Sequence, residues 1–201
     1  MSGGDTSARK PGGASPAQTR RRVLALLPFG VAAAAGGGFW AMLSRMRTGG
    51  FDPHDIHAPA LNRTVPDFAL PGLDAAHPGF SGNDLRHIDR PVLVNFFASW
   101  CIPCVAEAPL LGRVAALLPV WGVAYENKPS DAAGFVSQTG APFARVALDG
   151  SGRTAIDWGV SGVPESFLVR PGGIIDWHLA GALTETVVSA TLPALLSRIG
   201  R

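Results

Sequence analysis

Beyond residue 60, the chain alternates short apolar runs with segments whose apolar residues recur every three or four positions. Residues 91–97 are almost continuously apolar, which is typical of a central strand covered on both faces. Residues 104–118 carry Ala, Leu and Val at helical spacing, with a kink expected at Pro109, and residues 120–125 are apolar enough for a second buried strand. These segments predict a strand, a helix and a strand that form one βαβ unit.

The flanking pattern extends this unit into a larger α/β domain. A brief turn is predicted to begin at residues 84–85. One helix is predicted with Ser130 as its cap, running through Thr139 and ended by Gly140, and another over residues 184–199. The strand-like segments are short apolar runs near proline or glycine, and they are residues 66–71, 79–81, 145–148, 166–169 and 174–179. The alternation predicts a layered sheet with helices on both faces.

A different pattern precedes the domain, because no charged residue interrupts residues 23–43. At about 1.5 Å per residue, a helix of this length reaches the roughly 30 Å of a bilayer's hydrocarbon core. Five basic residues precede the stretch and two follow it closely, so the positive-inside rule predicts a cytoplasmic N-terminus and an exported domain. A cleaved signal peptide is the alternative, since Ala33 and Ala35 form an A-x-A-like site.

These patterns divide the chain into four predicted segments. Residues 1–19, rich in Gly, Ser, Ala and Pro, are expected to form a disordered cytoplasmic tail, and residues 20–47 a transmembrane anchor or signal. Residues 48–60 are predicted to be a polar linker, and residues 61–201 the folded domain.

Charge and cysteine content narrow the function classes. Of the 17 Lys and Arg, seven lie before residue 51, and the rest of the chain carries ten basic and 14 acidic residues. A nucleic-acid-binding domain concentrates basic residues on its folded part, so nucleic acid is not an expected partner. The chain has two cysteines, too few for the multiple bridges of small secreted folds, and they are expected to do chemistry or bind metal.

The cysteines lie between the predicted central strand and the following helix, in the run Trp100-Cys101-Ile102-Pro103-Cys104. At a helix N-terminus, unpaired backbone N–H groups and the helix dipole stabilise a thiolate, so Cys101 is predicted to be the nucleophile in thiol-disulfide exchange. Cys104, one turn inside the helix, is predicted to resolve the mixed disulfide by attacking Cys101. Trp100 is expected to shield one side of the pair.

Other uses of a CxxC pair are the alternatives. Zinc and iron–sulfur sites require further ligands, and the sequence has no third cysteine and no metal spacing among its five histidines, so no metal or other cofactor is expected. A purely structural disulfide is the second alternative, yet so small a loop gains little stability from chain entropy. The position between a strand and a helix favours redox chemistry.

Three segments carry a family resemblance: FFASWCIPCVAEAP at residues 96–109, GRTAIDWGVSGVPESFLV at 152–169 and GGIIDWHLAG at 172–181. They resemble the CcmG (DsbE) thioredoxins of cytochrome c maturation, and the resemblance covers the chain from about residue 65 onward. Residues 157–167 are its most specific part, because other thioredoxins share the CxxC motif. The resemblance implies a thioredoxin fold, with a central mixed sheet flanked by helices. Tyr125 and Glu126 depart from the family's usual pattern, which leaves any groove role for them open.

The resemblance also assigns roles around the cysteines. It implies that Pro164 follows a cis peptide bond and packs against the disulfide, where the neighbouring main chain of Gly162 and Val163 pairs with a substrate strand. Glu107 has two alternative roles. It is either a half-buried carboxylate that assists proton transfer from the resolving thiol or a solvated glutamate on the helix surface. Glu165 is expected to take part in partner recognition, with a solvated loop residue as the alternative.

The function implied by the resemblance is that of a reductant anchored in the bacterial inner membrane and facing the periplasm. Electrons would arrive from a membrane thiol transporter of the DsbD or CcdA type. They would pass to the disulfide of apocytochrome c, or of a CcmH-type chaperone, because haem attachment needs free thiols. A general TlpA-like reductase is the nearest alternative. A copper-binding module that resembles Sco proteins is a further alternative, but it would place its cysteines as CxxxC with a later His ligand, whereas this chain has CxxC and no evident partner for His178. A peroxidase would carry a Thr shortly before the reactive Cys, whereas Ser99 and Trp100 precede Cys101 here.

Overall fold

The structure, a computed structural model, describes residues 36–41, 44 and 61–199. These residues fall into two units. In the first unit, residues 36–41 are helical and exposed. Among the described residues, no helix combines the length and the hydropathy that a bilayer span requires. The tail predicted for residues 1–19, the linker predicted for residues 48–60 and most of the anchor or signal predicted for residues 20–47 lie outside the described residues.

The second unit contains a five-stranded mixed sheet. Its strands are β1 (Val92–Phe97), β2 (Val120–Tyr125), β3 (Phe143–Asp149), β4 (Glu165–Arg170) and β5 (Ile174–Ala180). They lie in the order β3-β2-β1-β4-β5, with β1, β2 and β3 parallel and β4 antiparallel to both β1 and β5. This is the mixed sheet that the resemblance implies.

The helices of this unit are α1 (Gly82–Arg86), α2 (Ile102–Ala115), α3 (Pro129–Thr139), α4 (Arg153–Trp158) and α5 (Leu192–Ile199), the last preceded by a π-helical segment, Val187–Thr191. Helix α2 continues through Pro109. Helix α3 begins after Lys128 because Pro129 fills its first position, where a missing N–H is tolerated. The prediction that Ser130 caps α3 is therefore wrong by two residues, and α4 was not predicted.

Strand β1 packs against the core on both faces of the sheet. All six of its residues are buried, as the continuous apolar run predicts. Leu93 and Phe97 pack with residues of α2, α3 and α5, whereas Val94 and Phe96 pack with residues of α1 and α4. Helices therefore cover both faces of the sheet, which confirms the predicted layering.

The strands predicted at residues 66–71 and 79–81 form isolated bridges. Ala69 bridges Ser81, and the N–H of Leu70 donates to the carbonyl of Phe80 at 3.1 Å. The two prolines of the first segment lack an N–H, so a continuous ladder cannot form there.

An aromatic stack fixes the end of β1. The ring centroid of Phe97 lies 4.7 Å from that of Phe135 and 4.9 Å from that of Phe143. Gly122 on β2 leaves room for this stack, because a Cβ there would lie 2.9 Å from Phe97 Cε1 and 3.1 Å from the Phe143 ring. The stack holds the strand that leads directly to the cysteines.

Candidate active site

The two cysteines occupy the junction between β1 and α2. Cys101 is the N-cap of α2, Cys104 lies in its first turn, and a disulfide joins them. The backbone N–H of Cys104 points at Cys101 Sγ, with the nitrogen 3.1 Å from the sulfur. A thiolate formed at Cys101 on reduction therefore meets a backbone donor and the positive end of α2, as a nucleophilic cysteine requires.

Exposed apolar side chains surround the buried pair. Cys101 is 4% exposed and Cys104 is 1% exposed, so the predicted resolving cysteine is the deeper of the two. Trp100 and Ile102, by contrast, are 59% and 82% exposed. The indole of Trp100 meets the ring of Tyr125 edge-on, with centroids 6.4 Å apart. A substrate that reaches the sulfurs first meets this apolar surface.

The loop before β4 lies against Cys101. The Val163–Pro164 peptide bond is cis, as the resemblance implies, and the carbonyl oxygen of Val163 lies 3.5 Å from Cys101 Sγ. Gly162 is exposed, and a Cβ there would meet nothing within 4 Å. The loop therefore presents accessible main chain beside the reacting sulfur.

Glu165 is buried at the start of β4 and holds this loop from inside. Its Oε1 accepts hydrogen bonds from the N–H and hydroxyl of Ser161 and from the N–H of Gly162, at 2.8, 2.6 and 3.2 Å. Its Oε2 lies 2.7 Å from Nε2 of His178. Burial alone would raise the pKa of Glu165, but the hydrogen bonds from His178 and Ser161 outweigh it and hold that pKa below its usual range. The alternative of a solvated loop residue is therefore wrong.

Glu107 is also buried, and it follows Cys104 by three residues on the same face of α2. Its carboxylate accepts hydrogen bonds from the side-chain amide of Asn95 at 3.0 Å and from the N–H of Leu183 at 2.8 Å. Burial raises the pKa of Glu107, and these two bonds offset the effect only in part. The alternative of a solvated helix-surface residue is wrong, and proton transfer from Cys104 stays a prediction.

Two asparagines support the site, although the sequence patterns did not identify them. The amide of Asn95 in β1 bridges Glu107 and the Ser166 hydroxyl, at 3.0 and 3.1 Å. The buried Asn127 accepts a hydrogen bond from the N–H of Ser99, at 2.9 Å, and so holds the turn before the cysteines. The sequence does contain a signal for Asn95, because a polar residue inside an apolar strand needs a hydrogen-bond partner when it is buried.

The sequence-based alternatives give His178 no role other than that of a metal ligand, and the structure places it elsewhere. It lies on β5, nearly buried, where its ring stacks on Phe167 with centroids 4.4 Å apart and its Nε2–H donates to Glu165. Within the part of the chain that the structure describes, no cluster of three His, Cys, Asp or Glu is arranged to hold a metal ion.

Known proteins resemble this chain over most of its length. The model of the AhpC/TSA family matches residues 61–178. A Rhodobacter capsulatus protein named thiol:disulfide interchange protein HelX is 36% identical over 176 residues, which cover 87% of this chain and 96% of that protein. The thiol:disulfide interchange protein DsbE of Escherichia coli K12 is 34% identical, with coverage of 84% and 90%.

A solved structure gives the same result for the fold. The crystal structure of a DsbE-type thiol:disulfide interchange protein from Chlorobium tepidum superposes with a TM-score of 0.58 at 31% identity. The superposition covers 68% of this chain and 96% of that one. The α/β domain around the cysteine pair is therefore a thioredoxin-like fold.

Proposed function

The chain belongs to the AhpC/TSA family and to its DsbE-type thiol:disulfide interchange proteins, and it is a protein-disulfide oxidoreductase; from this premise we propose that it reduces the disulfide of apocytochrome c, or of a CcmH-type chaperone, during cytochrome c maturation. The observation that carries the proposal is the contact between the Val163 carbonyl and Cys101 Sγ. It brings the segment that most specifically resembles the CcmG proteins, residues 157–167, against the reacting sulfur.

The reduced protein acts in two exchange steps. The Cys101 thiolate attacks one sulfur of the substrate disulfide, which forms a mixed disulfide and releases the other substrate sulfur as a thiolate. Cys104 then loses its proton and attacks Cys101 Sγ, which forms the Cys101–Cys104 disulfide and releases the second substrate thiolate. Two electrons pass from the protein to the substrate, and the protein ends in the oxidised form described above.

Glu107 is suited to take the proton that Cys104 loses. Burial raises the pKa of Glu107, so this pKa lies closer to neutral pH than that of an exposed glutamate, and the carboxylate is a better base. Its position three residues after Cys104 on α2 places both groups on one buried helix face.

The loop held by Glu165 supplies selectivity in this proposal. An exported reductase that attacked every disulfide would undo structural bridges in its compartment, so it must discriminate among partners. Gly162 and Val163 offer main-chain groups beside Cys101, and Glu165 fixes their position without being exposed itself. Glu165 therefore contributes to recognition through the loop.

The location and the electron donor complete the proposal. We place the domain in the periplasm, anchored to the inner membrane through residues 20–47, because an anchor raises its local concentration beside membrane-bound partners. A membrane thiol transporter of the DsbD or CcdA type would return the Cys101–Cys104 disulfide to the dithiol for the next cycle.

Reduction of a defined peptide disulfide tests this function. The oxidised haem-attachment motif, C-x-x-C-H, is offered to the reduced protein, and free peptide thiols are counted by alkylation and mass spectrometry. The proposal predicts reduction at least about tenfold faster than that of the disulfides of folded insulin, a preference of roughly 1.4 kcal/mol in transition-state energy. Equal rates would indicate a general reductase instead.

A further inference from the structure

A groove between α2 and α3 opens beside the cysteine pair. Its lining includes Ser99, Val105, Ala108, Asp131 and Phe135, and it is called the α2–α3 groove below. Its volume is about 660 Å³. This volume lies within the range of about 300 to 1,000 Å³ that is typical of ligand sites, so the groove has room for several side chains.

The groove is continuous with the surface around Cys101. Ser99 precedes Cys101 by two residues, and Val105 follows it by four, one turn along α2. Val105 is 49% exposed, and the neighbouring Ile102 is more exposed still. A polypeptide bonded to Cys101 through its own cysteine therefore starts within reach of the groove.

The chemistry of the groove limits what it can bind. The exposed apolar surface of the groove belongs to Val105 and Pro109, above the buried Phe135 and Ala108. Of the described residues that line it, none is a Lys or Arg, and Asp131 contributes a carboxylate. Within residues 61–199 that carboxylate accepts a hydrogen bond from the Ser130 hydroxyl at 3.1 Å and forms no ion pair. An apolar side chain beside a Lys or Arg complements this surface.

We propose that the α2–α3 groove binds the polypeptide flank of the substrate disulfide, an extended segment that places an apolar side chain against Val105 and a Lys or Arg beside Asp131. This inference rests on the proposed function, because it requires a polypeptide disulfide as substrate. The cysteines alone react with any disulfide, whereas the groove distinguishes substrates by the residues that flank their disulfide. Selectivity then has two sources, the Val163 loop and this groove.

Two helical glycines provide a matched pair of variants. Gly134 lies in the groove lining on α3, and a Cβ there has Gln138 Nε2 at 3.8 Å as its nearest neighbour. Gly112 on α2 is outside the lining, and a Cβ there meets nothing within 4 Å. Gly134→Trp therefore fills the groove without a backbone clash, and Gly112→Trp adds the same side chain elsewhere. Asp131→Lys reverses the charge of the groove and serves as a second, sterically mild variant.

The probes are two oxidised haem-attachment peptides, the five-residue C-x-x-C-H core and the same core extended at each end. Each extension has about six residues and spans about 3.4 Å per residue, so it is longer than α3. The extensions contain leucine and lysine, which supply the apolar and the basic side chain that the proposal requires. Gly134→Trp is expected to raise KM for the extended peptide about tenfold, the effect of losing one well-packed anchor, and to leave kcat/KM for the core unchanged. Gly112→Trp changes neither, and Asp131→Lys raises KM for the extended peptide alone.

Two results would overturn the inference, and they are distinguishable. If the wild-type protein reduces both peptides but Gly134→Trp and Asp131→Lys treat them as the wild type does, or slow both equally, the groove does not bind the flank and the proposed function stands. If the wild-type protein reduces neither peptide faster than it reduces oxidised glutathione, the proposed function fails and the groove inference fails with it.

Discussion

The carboxylate of Glu165 and the imidazole of His178 lie 2.7 Å apart, with both side chains almost wholly shielded from solvent. The contact joins β4 to β5, and the other oxygen of the same carboxylate holds the N–H groups of Ser161 and Gly162. One buried pair therefore connects the outer strand of the sheet to the loop that touches Cys101.

Acid should weaken the fold through Glu165. Because the folded-state pKa of Glu165 is lowered, the unfolded chain binds more protons at acidic pH, and the free energy of unfolding falls as pH drops from about 4.3 through the folded-state pKa. In Glu165→Gln this part of the acid loss disappears. Urea unfolding of both proteins between about pH 7 and pH 3 measures it. Identical pH profiles would contradict the role of the carboxylate.

Replacement of His178 separates its hydrogen bond from its ring stack. His178→Phe keeps an aromatic ring on Phe167 but removes the donor to Oε2 of Glu165, while Oε1 keeps its bonds to Ser161 and Gly162, so the free energy of unfolding should fall by about 2 kcal/mol. His178→Gln retains a hydrogen-bond donor, so its free energy of unfolding should fall by less. The rate of reaction of reduced Cys101 with a small disulfide should follow the same order, because the Val163 loop shifts. Equal stability of the His178→Phe variant and the wild type would refute this reading.

Loss of the buried carboxylate of Glu107 should slow one step of the reaction and spare the other. In Glu107→Gln, attack by Cys104 on the mixed disulfide is expected to be about 100-fold slower, because the thiol loses its proton acceptor. Formation of the mixed disulfide by Cys101 should be unchanged. Rapid quenching with acid and mass spectrometry resolves the two steps. Glu185→Gln, an exposed glutamate near the end of the chain, is the control.

A methyl group at Gly122 should disturb the aromatic stack that holds β1. Gly122→Ala forces Phe97 or Phe143 to move and should lower the free energy of unfolding by about 1 to 3 kcal/mol. Gly112→Ala, in an open position of α2, should instead raise it by about 0.5 to 1 kcal/mol, since alanine favours a helix. Chemical denaturation of the two variants gives both values, and a stabilising Gly122→Ala would contradict the packing described.

The elements that the sequence predicted correctly are those with a strong local signal. The apolar run of β1 and the cysteines after it define the strand-to-helix junction, because two buried faces leave almost no polar residues in a strand. Helix α4 has six residues, too few for helical periodicity to appear, and glycines with positive φ stand at both its ends, Gly152 and Gly159. It was therefore missed.

In the candidate site as well, sequence signals identified some residues and left others unidentified. The CxxC spacing identified Cys101 and Cys104, and the family resemblance identified the cis bond at Pro164. The partner of Glu107 could not be predicted, because Leu183 lies 76 residues away along the chain. The contact of Glu165 with His178 depends on the register in which β4 pairs with β5, which the sequence patterns do not specify. Burial converts both glutamates from apparent surface residues into internal ones.

Trapping the reaction intermediate tests the central claim most directly. In Cys104→Ser the resolving thiol is absent, so the mixed disulfide at Cys101 should persist, while a variant that lacks both cysteines should trap nothing. The full-length variant is expressed in its own host, purified without reductant, and its bound partner is identified by mass spectrometry. The account predicts an apocytochrome c or a CcmH-type chaperone joined to Cys101. Recovery of oxidase-assembly proteins alone would contradict it.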